Sequence, residues 1–144
     1  MRVALKLARH AASIGEIPIG AVIEHEGKII GTGFNLKESC QQASDHAEMI
    51  AIREASHHLG AWRLLNSTLY TTLEPCLMCA GGILQSRIPR VIYGASDPKG
   101  GAMGSLYNLH ADIRLNHSVT VKSGLYEEES RLLLKAFFKS RRKR

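Results

Sequence analysis

Residues 67–95, STLYTTLEPCLMCAGGILQSRIPRVIYGA, decide the fold. The first seven, 67–73, are rich in β-branched and aromatic types and predict a strand. Pro75 suits the first position of a helix, where its missing N–H is not needed, so a helix is predicted over about 75–86. Arg90-Val91-Ile92-Tyr93 reads as another strand. Strand, helix and strand within about 30 residues make a βαβ unit, with parallel strands and a right-handed crossover. Toward the N-terminus, 46–58 predicts a helix capped by Asp45, with Met49, Ile50, Ile52 and Ala55 facing a core. The stretch 35–45 is polar and aperiodic and reads as a loop. Runs 18–24 and 28–34, joined at His25-Glu26-Gly27, predict a hairpin. Residues 2–13 predict a first helix with Val3, Leu7 and Ala11 in register, stopped by Gly15.

Toward the C-terminus a glycine-rich loop, Ser96 to Gly104, precedes a weak strand near 118–122. The last helix opens on Glu127, Glu128 and Glu129 and closes on lysines and arginines, a polarity that matches the helix dipole. Its Leu132, Leu133, Leu134, Phe137 and Phe138 are expected in the core. This order of elements implies one α/β domain over 1–144, a sheet covered by helices on both faces.

Composition narrows the classes. The 144 residues are 44% hydrophobic and 22% charged, ordinary for a globular chain and unlike a disordered one. No apolar run approaches the roughly 20 residues of a membrane helix, and Met1-Arg2-Val3 opens no signal peptide. Three cysteines are too few for a disulfide scaffold, so a cytoplasmic setting is expected. Of the net charge of +6, five units come from Lys139, Arg141, Arg142, Lys143 and Arg144, leaving the rest near neutral. Such an end either grips a polyanion through its phosphates or frays as a solvated tail.

Two short motifs carry the chemistry. His46-Ala47-Glu48 opens one helix and Pro75-Cys76-Leu77-Met78-Cys79 opens another. Cysteines three apart on a helix project from one face, and a helix N-terminus favours their thiolate form. Two thiolates and one imidazole suit zinc, and three protein ligands make a catalytic rather than a closed site. Glu48 beside metal-activated water can take a proton and later return one. Both His46 and Glu48 can face inward only if His46 sits at or before the first helical turn. Alone, the Cys-x-x-Cys would equally be a redox pair or half of a zinc knuckle. Cys40 is either an incidental thiol or a fourth ligand. The remaining histidines lack metal-ligand spacing. Taken together, the two motifs are the known signature of zinc nucleobase deaminases.

Over nearly its whole length the chain resembles the TadA-type bacterial tRNA adenosine deaminases. The resemblance rests on Asp45 to Met49, Thr72 to Ala80 and Ser86-Arg87-Ile88. It extends to Pro18 to Val22, Gly33-Phe34-Asn35, Gly104-Ser105-Leu106 and Leu115-Asn116-His117. It implies a three-layer α/β/α cytidine deaminase-like fold with a five-stranded mixed sheet. The implied reaction is hydrolytic deamination of adenosine to inosine at the wobble position of a tRNA anticodon, typically of an arginine tRNA. A zinc deaminase of a free base, nucleoside or nucleotide is the alternative. The resemblance assigns zinc to His46, Cys76 and Cys79 and proton transfer to Glu48. It gives Asn35 a hydrogen bond to the purine, the Ala47 backbone a share in stabilising the intermediate, and Asp97 a contact with the RNA backbone. Phe138 and Arg141 at the basic end are expected to meet a splayed base and phosphates of the anticodon stem-loop. Family members act as homodimers, and no membrane contact is expected.

Overall fold

The computed structural model describes residues 1–142; Lys143 and Arg144 of the basic end lie outside the described residues. In chain order the elements are α1 (Arg2–Ser13), β1 (Gly20–His25), β2 (Lys28–Phe34), α2 (Lys37–Cys40), α3 (Ala47–Leu59), β3 (Ser67–Leu73), α4 (Leu77–Gln85), β4 (Arg90–Ala95), β5 (Thr120–Ser123) and α5 (Glu127–Arg142). Glu26 and Gly27 both take positive φ, 51° and 84°, which lets a tight turn match the twist of β1 and β2. The sheet order is β2-β1-β3-β4-β5. β1 is antiparallel to both neighbours, and β3, β4 and β5 are parallel. It follows that β2 runs in the same direction as β3 and β4. The residues after these three strands, Asn35, Cys76 and Asp97, therefore meet at one end of the sheet, the carboxyl end where open α/β sheets bind ligands.

Strand alternation sorts the helices into two layers. Gly20 pairs with Phe34, and Ala21 with Gly33. A Cβ on Gly20 would fall on the backbone of α1, whereas one on Gly31 or Gly33 would fall on the backbone of α3. Phe34 meets His10 of α1 edge-on at 4.8 Å, on the Gly20 side. On that same side Gly94 of β4 lies under Ser130 of α5. The main core fills the other side, where Ala21, Ile23, Leu69, Val91 and Tyr93 pack with Ala47, Ala51 and Ala55 of α3 and Ala80 and Ile83 of α4. Alanines on α3 over glycines on β2 bring this helix close to the sheet. The result is the expected three-layer α/β/α arrangement with a five-stranded mixed sheet. Among the described residues, no helix is long and apolar enough to cross a membrane.

Several local expectations are corrected. The 35–45 loop contains α2, closed by a Cys40 N–H to Leu36 carbonyl bond of 2.8 Å and anchored where Glu16 accepts from the Ser39 N–H and hydroxyl. The cap of α3 is His46, not Asp45, whose carboxylate instead takes Arg53 at 2.8 Å. Pro75 is not the first residue of a helix: α4 starts at Leu77 with Cys76 as its cap, and the Pro75 carbonyl accepts the Ala102 N–H at 2.8 Å. Val3 is 42% exposed, because α1 seats on Gly20 through Ala4 and Ala8 and buries Leu5 and Ala11 with them. The apolar stripe of α5 is not core. Only Ser130 of that helix is buried, and Leu132 and Phe138 are 48% and 45% exposed. Its C-terminal end lies against the α1–β1 loop, where Arg141 donates to the Gly15 carbonyl, and Leu133, Leu134 and Phe137 are half-buried.

Candidate metal centre and cavity

His46 and Cys76 each cap a helix in extended backbone conformation, φ −81°, ψ 153° and φ −76°, ψ 179°. That geometry answers the problem of His46 and Glu48. The histidine leaves from the cap, and Glu48 points inward from the first turn of α3. The imidazole Nδ1 lies 3.6 Å from Cys76 Sγ and 3.5 Å from Cys79 Sγ, and the three donor atoms fall within 4.8 Å of one another. A tetrahedral ion with metal–sulfur and metal–nitrogen bonds of roughly 2.3 and 2.0–2.1 Å separates nitrogen from sulfur by about 3.6 Å. The donor set therefore fits zinc in both chemistry and spacing. Cys40 lies exposed on α2 and is not part of this cluster, and among the described residues no further histidine, cysteine or carboxylate joins it.

Proton affinities in the cluster are strongly displaced. The thiol of Cys79 donates to Cys76, and with His46 it holds Cys76 down to about 4. Cys79 is pushed up, first by Cys76 and then by burial. His46 is raised by its bond to Cys76. Burial pushes the Glu48 carboxyl up to about 7.

These groups open into a cavity of about 620 Å³ lined by His46, Glu48, Cys76, Asn35, Asp97 and Phe138, with Lys37 and Lys99 also on its wall. This is a size for a nucleoside rather than a metal alone. Asn35 is 3% exposed, and its Oδ1 accepts the Ala47 N–H at 3.3 Å. The Ala47 N–H is thus engaged by Asn35, and the Asn35 amide hydrogens are the part left for a ligand. Asp97 organises a turn, its Oδ1 accepting from Lys99 and Gly100 N–H groups at 3.1 and 3.2 Å. Phe138 reaches the cavity, whereas Arg141 lines an adjoining hollow of about 280 Å³ that also holds Glu16 and Phe137. The Arg141 guanidinium sits 5.0 Å from the Phe137 ring centre.

Two buried carboxylates near the cavity, Glu16 and Glu74, were not singled out by the sequence reading; both are 2% exposed. For Glu74 the sequence carries only an acidic residue directly after a β-rich run, with nothing to say which loop it meets. Burial raises its pKa, but hydrogen bonds led by that of Ser105 outweigh this and hold it below the usual carboxylate range.

Comparison with known proteins agrees with this geometry. Residues 1–95 match the cytidine and deoxycytidylate deaminase zinc-binding region, a span that includes both motifs. The chain is 50% identical over 144 residues to the tRNA-specific adenosine deaminase of Bacillus subtilis, covering 100% of this chain and 89% of that one. It is 50% identical over 143 residues to the tRNA-specific adenosine deaminase of Haemophilus influenzae, covering 99% and 83%. A structure solved in work on A-to-I editing by tRNA:A34 deaminases at the wobble position of transfer RNA superposes with a TM-score of 0.90. It is 43% identical and covers 93% of this chain and 97% of its own. With identity at this level along its whole length, the chain belongs to the family of tRNA-specific adenosine deaminases.

Proposed function

We propose that this protein hydrolyses adenosine to inosine at the wobble position of a tRNA anticodon, with zinc held by His46, Cys76 and Cys79 and with Glu48 moving the protons. The observation that carries the reading is the joining of a three-donor cluster and a buried carboxyl in one nucleoside-sized cavity, in a chain half identical throughout to tRNA-specific adenosine deaminases. When bound, zinc supplies Lewis-acid chemistry that ionises water near neutral pH. Glu48, a buried carboxyl opening into the same cavity as the three donors, can both accept and return a proton there. It accepts the proton released as water adds to ring carbon 6 and places it on ring nitrogen 1; it then takes the proton of the new carbon-6 hydroxyl and passes it to the amino group, which departs as the carbonyl forms. Adenosine and water leave as inosine and ammonia.

Asn35 orients the purine through its amide hydrogens, and its own position is fixed by Ala47. Asp97 has Oδ2 outside its turn hydrogen bonds, suited to a ribose 2′-hydroxyl, the group that distinguishes RNA from DNA. The anticodon base must leave its stack to reach the metal, at lower cost in a loop than in a duplex. Lys37, Lys99 and Arg141 around the mouth neutralise flanking phosphates, and Phe138 offers an exposed ring for an unstacked base. We further propose a homodimer working in the cytoplasm; sedimentation reads the assembly, and a fully active monomer would remove that part.

The test of the reaction compares a minimal anticodon stem-loop bearing adenosine at the wobble position with free adenosine, cytidine and guanine, following ammonia release and base mass. Conversion of the stem-loop alone is expected, and Glu48→Ala should stay folded and zinc-loaded but lose activity. Turnover of a free base or nucleoside at comparable efficiency would overturn the tRNA reading.

A further inference from the structure

Glu74 is a buried carboxylate held by hydrogen bonds from one loop. It is 2% exposed, and among the described residues no lysine, arginine or histidine forms an ion pair with it. Its two oxygens collect donors from a single loop instead. Oε1 accepts the Asp97 N–H at 3.0 Å and the Ser105 hydroxyl, and Oε2 accepts the Met103 and Ser105 N–H groups at 3.1 and 3.0 Å. Gly101 packs so tightly on the same carboxylate that a Cβ there would fall on its oxygens. The loop is tied again at the metal end of α4, where Gly101 pairs with Cys76.

The side-chain chemistry is selective. An ionised carboxylate is acceptor-only at both oxygens and can take four donors at once, whereas an amide turns two hydrogens of its own toward them. Burying such a group costs several kcal/mol unless it is hydrogen-bonded in this way. A loop needing only a staple could use a neutral residue at lower cost.

We infer that Glu74 is a positioning residue for the RNA substrate: it locks the loop from Asp97 to Ser105 against the Cys76 end of α4, so that Asp97 meets the ribose at a fixed distance from the His46–Cys76–Cys79 cluster. What the loop touches rests on the tRNA reading; how the loop is held does not.

The test uses the zinc-loaded full chain, as wild type, Glu74→Gln, Ser105→Ala, Asp97→Ala and the Glu74→Gln/Asp97→Ala pair, with steady-state kinetics on the stem-loop and amide hydrogen exchange. Glu74→Gln should keep its zinc, raise KM about tenfold and change kcat by less than about threefold, since the donors that lose an acceptor belong to the loop bearing Asp97 and none to His46, Glu48, Cys76 or Cys79. Ser105→Ala removes the hydroxyl, one of the four contacts, and leaves the backbone N–H in place; it should raise KM about threefold, so the inference stands or falls on it if the glutamine variant does not fold. In the Asp97→Ala background, Glu74→Gln should add less than about twofold to KM, because both changes act through one contact. Exchange at Met103 and Ser105 should quicken while α3 is unchanged. A fall in kcat or zinc content with KM unmoved, or KM effects that multiply in the double variant, would overturn the inference. A wild type that converts no stem-loop would refute the tRNA reading instead; exchange then decides the brace, and an unchanged rate at Met103 and Ser105 overturns it.

Discussion

Replacing Glu48 by glutamine should change how the metal-stripped protein's stability responds to pH, by an amount set by burial. The carboxyl is 4% exposed, and desolvation lifts it from 4.5 to about 7. A folded-state value above the unfolded one means that the folded chain binds the proton more tightly. The stability this group contributes is therefore fully present below about pH 4.5 and is lost as pH rises toward 7. At ~1.36 kcal/mol for each pH unit, the loss comes to about 3 kcal/mol. Glutamine has nearly the same shape and stays neutral, so it imitates the protonated acid throughout. The two proteins should have equal stability near pH 4, and Glu48→Gln should be the more stable by about 3 kcal/mol near pH 7.5. The difference between them is the quantity to follow, because Cys76, moved from 9 down to about 4 by its bond from Cys79, makes both chains gain stability as pH rises through that range. Urea unfolding in chelator, followed by circular dichroism at steps between about pH 4 and 8, gives this difference from midpoint shifts at constant slope. A gap that does not change with pH, or a wild type that is the more stable at neutral pH, refutes the claim that burial governs Glu48.

Cys76→Ser should abolish zinc retention and activity, whereas Cys40→Ser, altering an exposed thiol outside the cluster, should leave metal content and turnover within about twofold; elemental analysis beside the kinetic assay checks both. Gly33→Ala puts a Cβ against the Ala47 carbonyl, which as backbone cannot swing away, so a loss of about 1–3 kcal/mol is expected in thermal or urea unfolding. Its activity should fall further than its stability, since Ala47 sits between His46 and Glu48. Asn35→Ala leaves the Ala47 N–H without its partner and removes the purine contact; kcat/KM on the stem-loop should drop by roughly 10- to 100-fold, worth about 1–3 kcal/mol, and a drop under about threefold would reduce Asn35 to packing.

What the chain announces in sequence and what it conceals divide along the range of the interactions. Cys76 and Cys79 are legible because their spacing and their place at a helix start are local properties, and His46 and Glu48 because only a cap position reconciles their spacing with one site. The sheet is legible from alternation and from the Glu26-Gly27 turn. Glu74 is concealed: its four donors arrive from residues 97–105, and nothing near position 74 says which loop will fold over it. Phe138 misleads for a related reason. An apolar periodicity tells that a face exists, not how fully its neighbours cover it, and on α5 Leu132 and Phe138 stay exposed. The cap of α3 lies one residue beyond the position its sequence favours, because Asp45 is the better capping type and the structure gives the cap to the weaker capper, His46.

That last displacement links stability to chemistry. Neither α3 nor α4 has a side-chain cap, although a capped helix start is worth about 1 kcal/mol. In both, the cap residue is one of the three donor residues, and its side chain faces the other donors across the two helices. The extended backbone at a cap is what frees that side chain from the helical spacing, so the position that would stabilise each helix is the one position from which a ligand can face its partner across the two helices. Part of the deficit is made good from outside, since Asn35 Oδ1 supplies the acceptor that His46 does not, taking the Ala47 N–H of α3. One residue thereby takes a free N–H of the first turn of α3 and stands in the cavity beside it. Part of the cost of assembling the metal site is thus met, at α3, by the side chain best placed to touch the base, and loss of Asn35 acts on that helix and on the substrate together.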